Sequence, residues 1–170
     1  MRSISFVILF FVSSSLFSQR NIIPTDTLYI RGNVQVEKKI SLSQLDSFPK
    51  TDIHDLVLYN QKGEIKDTLK NIKGVSFKTI LASTRLLYEK PKELNEFYFV
   101  LKGSDGYTVV MSWNEVYNTT QGDQFWIITE LEGRKLNEIG ERIQFIATGD
   151  LQAGRRYVRG LDQIKVKRED

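Results

Sequence analysis

Apolar and polar residues alternate along most of this chain, the pattern of half-buried strands. "TLYIRG" (27–32) and "NVQVEKKI" (33–40) alternate about a Gly-Asn turn. "HDLVLYN" (54–60) and "GEIKDTL" (63–69) flank "QK". "EFYFVLKG" (96–103) and "YTVVMS" (107–112) flank "SDG", a hairpin signal because Asp-Gly accepts positive φ. "QFWIITEL" (124–131) meets "EGRKL" (132–136) over a second glycine turn. "RIQFIATG" (142–149) and "LDQIKV" (161–166) are the last two strand-like runs.

Three segments break this period and predict short helices. "SLSQLDSF" (41–48) opens on Ser41 with Gln44 three residues on, a capping box, and Pro49 stops it. "SFKTILASTRLL" (76–87) starts at Ser76 and sets Phe77, Ile80, Leu81 and Thr84 on one face. "SWNEVYN" (112–118) repeats the capping-box relation with Ser112 and Glu115. Many short strands with a few short helices predict an α+β domain with mixed β-sheets.

The first 18 residues stand outside this pattern. One basic residue, an apolar run from Ile4 to Val12, then small and polar residues give a signal-peptide layout. Cleavage after Ser18 would leave 19–170 as one exported domain, periplasmic or secreted. At 41% hydrophobic and 26% charged, the chain has the composition of a globular domain. The chain contains no cysteine, so its stability must come from the core and not from disulfides.

Missing residue types also exclude chemistry. Without cysteine there is no thiol nucleophile, iron–sulfur cluster or zinc–thiolate site. The one histidine, His54, sits at the start of a predicted strand and reads as solvated or packed. That leaves no histidine-built metal site and no serine triad. A net charge of +3 is too small for a general polyanion binder, so no nucleic-acid partner is expected. From residue 134 to 168, however, nine Lys/Arg face four Asp/Glu, which suits a small, local anionic partner.

The pieces then fall into a familiar order. "LYIRGNVQVEKKISLSQLDSFP", "IKGVSFKTIL", "GSDGYTVVMSWNEV" and "EGRKLNEIGERIQFIATGD" run into "AGRRYVRGLDQIKV". This series, over about residues 27–167, resembles the molybdopterin-binding domain of the sulfite oxidase family. The family's closing segment reads Gly-Ala-Arg-x-Val-Lys-Trp-Leu; this chain has "GRRYVRGL" from Gly154 to Leu161. Arg156 falls on the family's arginine and Arg159 on its lysine. The resemblance implies that both help hold the phosphate and pterin of a cofactor, a task that suits a planar guanidinium fork. The alternative is that these arginines are solvated, or pair with Asp150 and Asp162. As loop residues they are expected to contribute little to stability.

One departure from the family decides the chemistry. Catalytic members carry a cysteine that binds molybdenum in the segment that here reads "HDLVLYNQKGE" (54–64). The histidine and arginine neighbours of that cysteine are missing as well. Tyr59 or Asn60 cannot stand in for a soft thiolate. No molybdenum and no oxidase activity are therefore expected. The chain is similar instead to small exported proteins of this fold that bind pterins in periplasmic signalling. That implies a pterin-like small molecule as ligand and a membrane-bound periplasmic sensor as partner.

A pterin needs an aromatic platform, a carboxylate for its amino-pyrimidine edge and donors for its carbonyl. Candidate platforms are Trp113, Trp126 and Tyr157, with Trp126 reading more as core. Candidate carboxylates are Asp150, which leads straight into the arginine loop, and Asp105, which reads more as a turn former. The candidate cofactor-binding set is thus Arg155, Arg156, Arg159, Asp150, Tyr157 and Trp113. Two further readings stay open. One is a divergent molybdopterin-dependent oxidoreductase holding its metal without a protein thiolate; the other is an exported scaffold that has lost its ligand.

Overall fold

The structure, a computed structural model, describes residues 21–169 apart from Gln61. The expected signal segment lies outside the described residues. The strands are β1 Thr27–Gly32, β2 Lys38–Ser41, β3 Thr51–Ile53, β4 Leu56–Tyr59, β5 Ile65–Leu69, β6 Ile72–Ser76, β7 Phe97–Gly103, β8 Thr108–Ser112, β9 Phe125–Leu131, β10 Arg134–Lys135, β11 Gln144–Ala147 and β12 Leu161–Arg168. The helices are α1 Leu42–Ser47, α2 Phe77–Leu81 and α3 Trp113–Tyr117. Short 3-10 turns cover Pro91–Glu96, Thr120–Gln124 and Ala153–Arg156.

The strands stack in three layers. One sheet has the order β2-β1-β12-β7-β8. Its β1–β12 pair is parallel and its other pairs are antiparallel, so the sheet is mixed. A second sheet runs β10-β9-β6-β3, with β11 also paired to β9. The β4–β5 hairpin is the third layer. Alternation decides which side chains meet: Leu28 and Ile30 of β1 and Ile164 and Val166 of β12 enter the first core. Phe77 lies edge-on to Phe99, at 6.0 Å and 89°, and to Phe145, at 5.4 Å and 72°, which ties the two large sheets together. Burying each such ring contributes about 1.5–3 kcal/mol. Ile128 and Ile146 face the opposite way, onto Leu56, Leu58 and Leu69 of the hairpin. β11 is consequently buried at every position.

Both capping boxes form. The Ser41 and Ser112 side chains accept from the N–H groups of Gln44 and Glu115, whose side chains accept in return. The Ser104–Gly106 turn forms as expected. Asp105 accepts the Tyr107 N–H at 2.9 Å, and Gly106 has φ of 80°.

Three local expectations need correction. The second predicted strand shrinks to Lys38–Ser41, and Val34 bridges Leu86 instead. Gly32 causes the break. Its φ is 100°, and a Cβ there would lie 2.1 Å from the Val166 carbonyl oxygen, so only glycine fits the turn. The helix predicted over 76–87 ends at Leu81. Ser83 and Thr84 are poor helix formers, and the chain beyond them gains strand-like bonds to 33–35. Gln35 N donates to Arg85 O at 2.9 Å and Leu87 N to Asn33 O at 3.1 Å. Strands β3 and β6 were not anticipated, because β3 has three residues and β6 carries Gly74. A Cβ on Gly74 would meet Ile53 Cδ1 at 2.9 Å, so this glycine allows close strand packing.

Candidate functional site

The basic loop leaves β11 at Ala147 and returns at Val158. Phe145 and Val158 exchange backbone hydrogen bonds of 2.9 Å each, which closes the loop at its base. Ala153 is buried against the β4–β5 hairpin, anchoring the 3-10 turn. The three arginines of the loop are then dealt to three different environments.

Arg156 points inward. Its Nε donates to Asp150 Oδ2 at 2.6 Å, and its Nη2 donates to Asp150 Oδ1. Its Nη1 reaches Glu115 Oε1 at 3.1 Å. The guanidinium also lies over the Phe125 ring, 4.9 Å from its centroid. Gln121 Nε2 donates to Asp150 at 2.8 Å. The hydrogen bonds it donates to Asp150, with the charges of both carboxylates, raise the Arg156 pKa further above its ordinary range despite burial. Arg156 and Asp150 are thus each other's partners. Together they clamp the loop onto α3.

Arg155 points outward, and its Nε donates to Gln152 Oε1 at 2.6 Å. Its carbonyl accepts the Tyr107 hydroxyl at 2.7 Å. Arg159 is about half-exposed and reaches Glu141 Oε1 at 3.2 Å. Tyr157 donates its hydroxyl to Gln144 Oε1, and burial pushes its phenol pKa well above the usual value.

Arg159 and Tyr157 line a cleft of about 250 Å³ with Tyr107, Asp105, Lys66 and Asp67. Leu58 and Gly154 also contribute to its lining. The cleft therefore lies between the basic loop, the β7–β8 turn and the β4–β5 hairpin. Its volume falls just below the range of drug-sized sites, roughly 300–1,000 Å³, and so suits only a compact ligand. Two cations, two carboxylates and two phenols can serve a compact heterocycle carrying both donors and acceptors. They do not fit a thiolate-held molybdenum, for which the chain has no ligand. Among the described residues, no group of three or more His, Cys, Asp or Glu side chains could hold a metal ion.

The other predicted residues lie apart. Trp113 lines a separate groove with Tyr117, Tyr88 and Arg85. Trp126 is half-buried against the second core, with its indole N–H 3.3 Å from Thr148 Oγ1. His54 is exposed in the link between β3 and β4. Sequence reasoning missed Lys66 and Asp67, which it placed only within the strand-like run 63–69. It read Glu115 only as a helix cap, although the same carboxylate also holds Arg156. The Asp-Gly-Tyr tip was the one signal for Tyr107.

No protein-family model matches the sequence, and no curated protein matches it either. Among solved structures, the chain is similar to the sulfane dehydrogenase SoxCD from Paracoccus pantotrophus, with a TM-score of 0.62 and 14% sequence identity. The match covers 84% of this chain and 38% of that one, so this chain spans well under half the neighbour's length. At that identity the likeness speaks for the fold alone. The protein has an α+β fold of the sulfite-oxidase type, with mixed β-sheets and a few short helices.

Proposed function

We propose that this is an exported, non-enzymatic protein that binds or senses a pterin, with its ligand in the Arg159–Tyr157 cleft. The observation that carries the reading is the meeting of Arg159, Lys66, Asp67 and Asp105 around one small cleft. A carboxylate there can accept both donors of an amino-pyrimidine edge. A guanidinium or ammonium can donate to the pterin carbonyl or to a phosphate. The phenol rings of Tyr107 and Tyr157 supply flat apolar surface. In this arrangement Arg156 and Asp150 shape the loop, Arg155 sits outside, and Arg159 faces the ligand. The absence of any cysteine supports a binding role over molybdenum chemistry. A membrane-bound periplasmic sensor is the proposed reader of the liganded state.

Calorimetric titration with tetrahydrobiopterin tests this. The wild type is expected to bind saturably. Loss of a charge-assisted bond in Arg159→Ala costs about 1.5–3 kcal/mol, roughly tenfold to a hundredfold in affinity. Arg155→Ala, which removes an outward guanidinium, should leave binding unchanged. No binding by the wild type would favour a scaffold that has lost its ligand. Unchanged binding in Arg159→Ala would move the site elsewhere.

A further inference from the structure

The groove that contains Trp113 belongs to no part of the site above. It has a volume of about 600 Å³, with Leu81 of α2 and Phe99 of β7 among its lining residues. Trp113 and Tyr117 of α3 stand side by side in it, ring centroids 5.3 Å apart and planes tilted by 32°. Tyr117 also leans on Phe99 at 6.4 Å. Arg85 and Gln35 share another part of the lining, fixed together by the bond from Gln35 N to Arg85 O.

The charge of this groove is one-sided. Arg85 makes no side-chain ion pair or hydrogen bond among the described residues, and neither does the Gln35 amide. No aspartate or glutamate lines the groove. Glu89 and Glu93 line the adjoining cleft instead, where Glu93 pairs with Arg168 at 2.9 Å. Desolvation pushes the Tyr117 phenol pKa up to about 12, so its hydroxyl stays a neutral donor at working pH. Flat rings, a cation without a counter-charge and spare amide and phenol groups therefore line the same groove.

We infer that the Trp113–Tyr117 groove binds a small aromatic carboxylate, its ring against the two aromatic side chains and its carboxylate on Arg85. A ring alone would leave Arg85 without a counter-ion. A bare anion would find one exposed arginine, which holds little in water. A molecule carrying both groups uses both features, and the guanidinium fork matches a carboxylate in two parallel bonds. A pterin fits here less well, because the groove offers no carboxylate for an amino-pyrimidine edge. The inference does not rest on the pterin reading, since the two sites share no residue.

The test uses 2-naphthoate and its neutral counterpart 2-naphthamide, titrated against the full protein by calorimetry and tryptophan fluorescence. The wild type should bind 2-naphthoate saturably. Arg85→Gln should weaken 2-naphthoate roughly tenfold or more while leaving 2-naphthamide within about twofold. Trp113→Ala should weaken both ligands. Should that variant fail to fold, Tyr117→Ala, at a more exposed ring, makes the same measurement. Arg159→Ala should not change 2-naphthoate binding, which separates this groove from the pterin cleft. A wild type without saturable 2-naphthoate binding, as when another segment of the chain fills the groove, overturns the proposal. Equal 2-naphthoate affinity in wild type and Arg85→Gln overturns it as well.

Discussion

Arg156 and Arg159 lie three residues apart, yet they answer to different forces. The Arg156 side chain is 19% exposed and that of Asp150 14%, so their bidentate pair is largely shielded from water. Truncating Arg156 would leave Asp150 short of its cation in a place where water cannot fully replace it. Arg156→Ala is therefore expected to cost about 1–3 kcal/mol, less than the ~3–5 kcal/mol of a fully buried pair. The loop position alone had suggested a small effect. Arg159, 46% exposed and paired with Glu141, should cost only about 0–1 kcal/mol when removed. Urea denaturation of both variants checks this through the shift in midpoint at constant m-value. Equal midpoints would mean that the Asp150 clamp carries no stability.

Among the elements, α3 shows how a cap can reach beyond its own helix. Five residues cannot sustain a helix in isolation, so its ends and packing must hold it. Ser112 Oγ accepts the Glu115 N–H at 3.0 Å, and Glu115 Oε2 accepts the Ser112 N–H at 2.8 Å. The other oxygen of Glu115 holds Arg156. Ser112→Ala should therefore destabilise the protein by about 0.5–2 kcal/mol, while Ser112→Asp, another good N-cap, should retain most of the stability. Thermal or urea unfolding of the pair decides, and an alanine variant as stable as the wild type would deny the cap its role. Both capping boxes could be read from the sequence because their partners lie three residues apart. The end of α2 could not. It depends on residues 33–35, some fifty positions earlier, offering strand-like bonds to Arg85 and Leu87.

For the whole molecule, the three-layer arrangement explains why no disulfide is needed. Two buried clusters share the middle sheet, with Phe145 and Ala147 in one and Ile146 in the other. Among the described residues, no helix is long and apolar enough to cross a membrane. The proposed export is tested on protein purified from its native host. Mass spectrometry should find a chain beginning at Gln19, and elemental analysis no stoichiometric molybdenum. An intact Met1 terminus would overturn export. One molybdenum per chain would overturn the non-enzymatic reading.

Period-two alternation, two capping boxes and the Asp-Gly turn sufficed to predict an α+β domain with mixed sheets. These features are local, and backbone sterics act over a few residues whatever the rest of the chain does. The absence of cysteine likewise settled from sequence alone that no protein thiolate can hold a metal. Tertiary structure alone decided what each arginine meets. Glu115 lies 41 positions from Arg156, and Tyr107 lies 48 from the Arg155 carbonyl it binds. It also put Trp113 in one groove and Arg159 in another. Charge and aromatic content can be counted along a chain, but a binding site depends on which side chains converge, and packing between distant strands determines that.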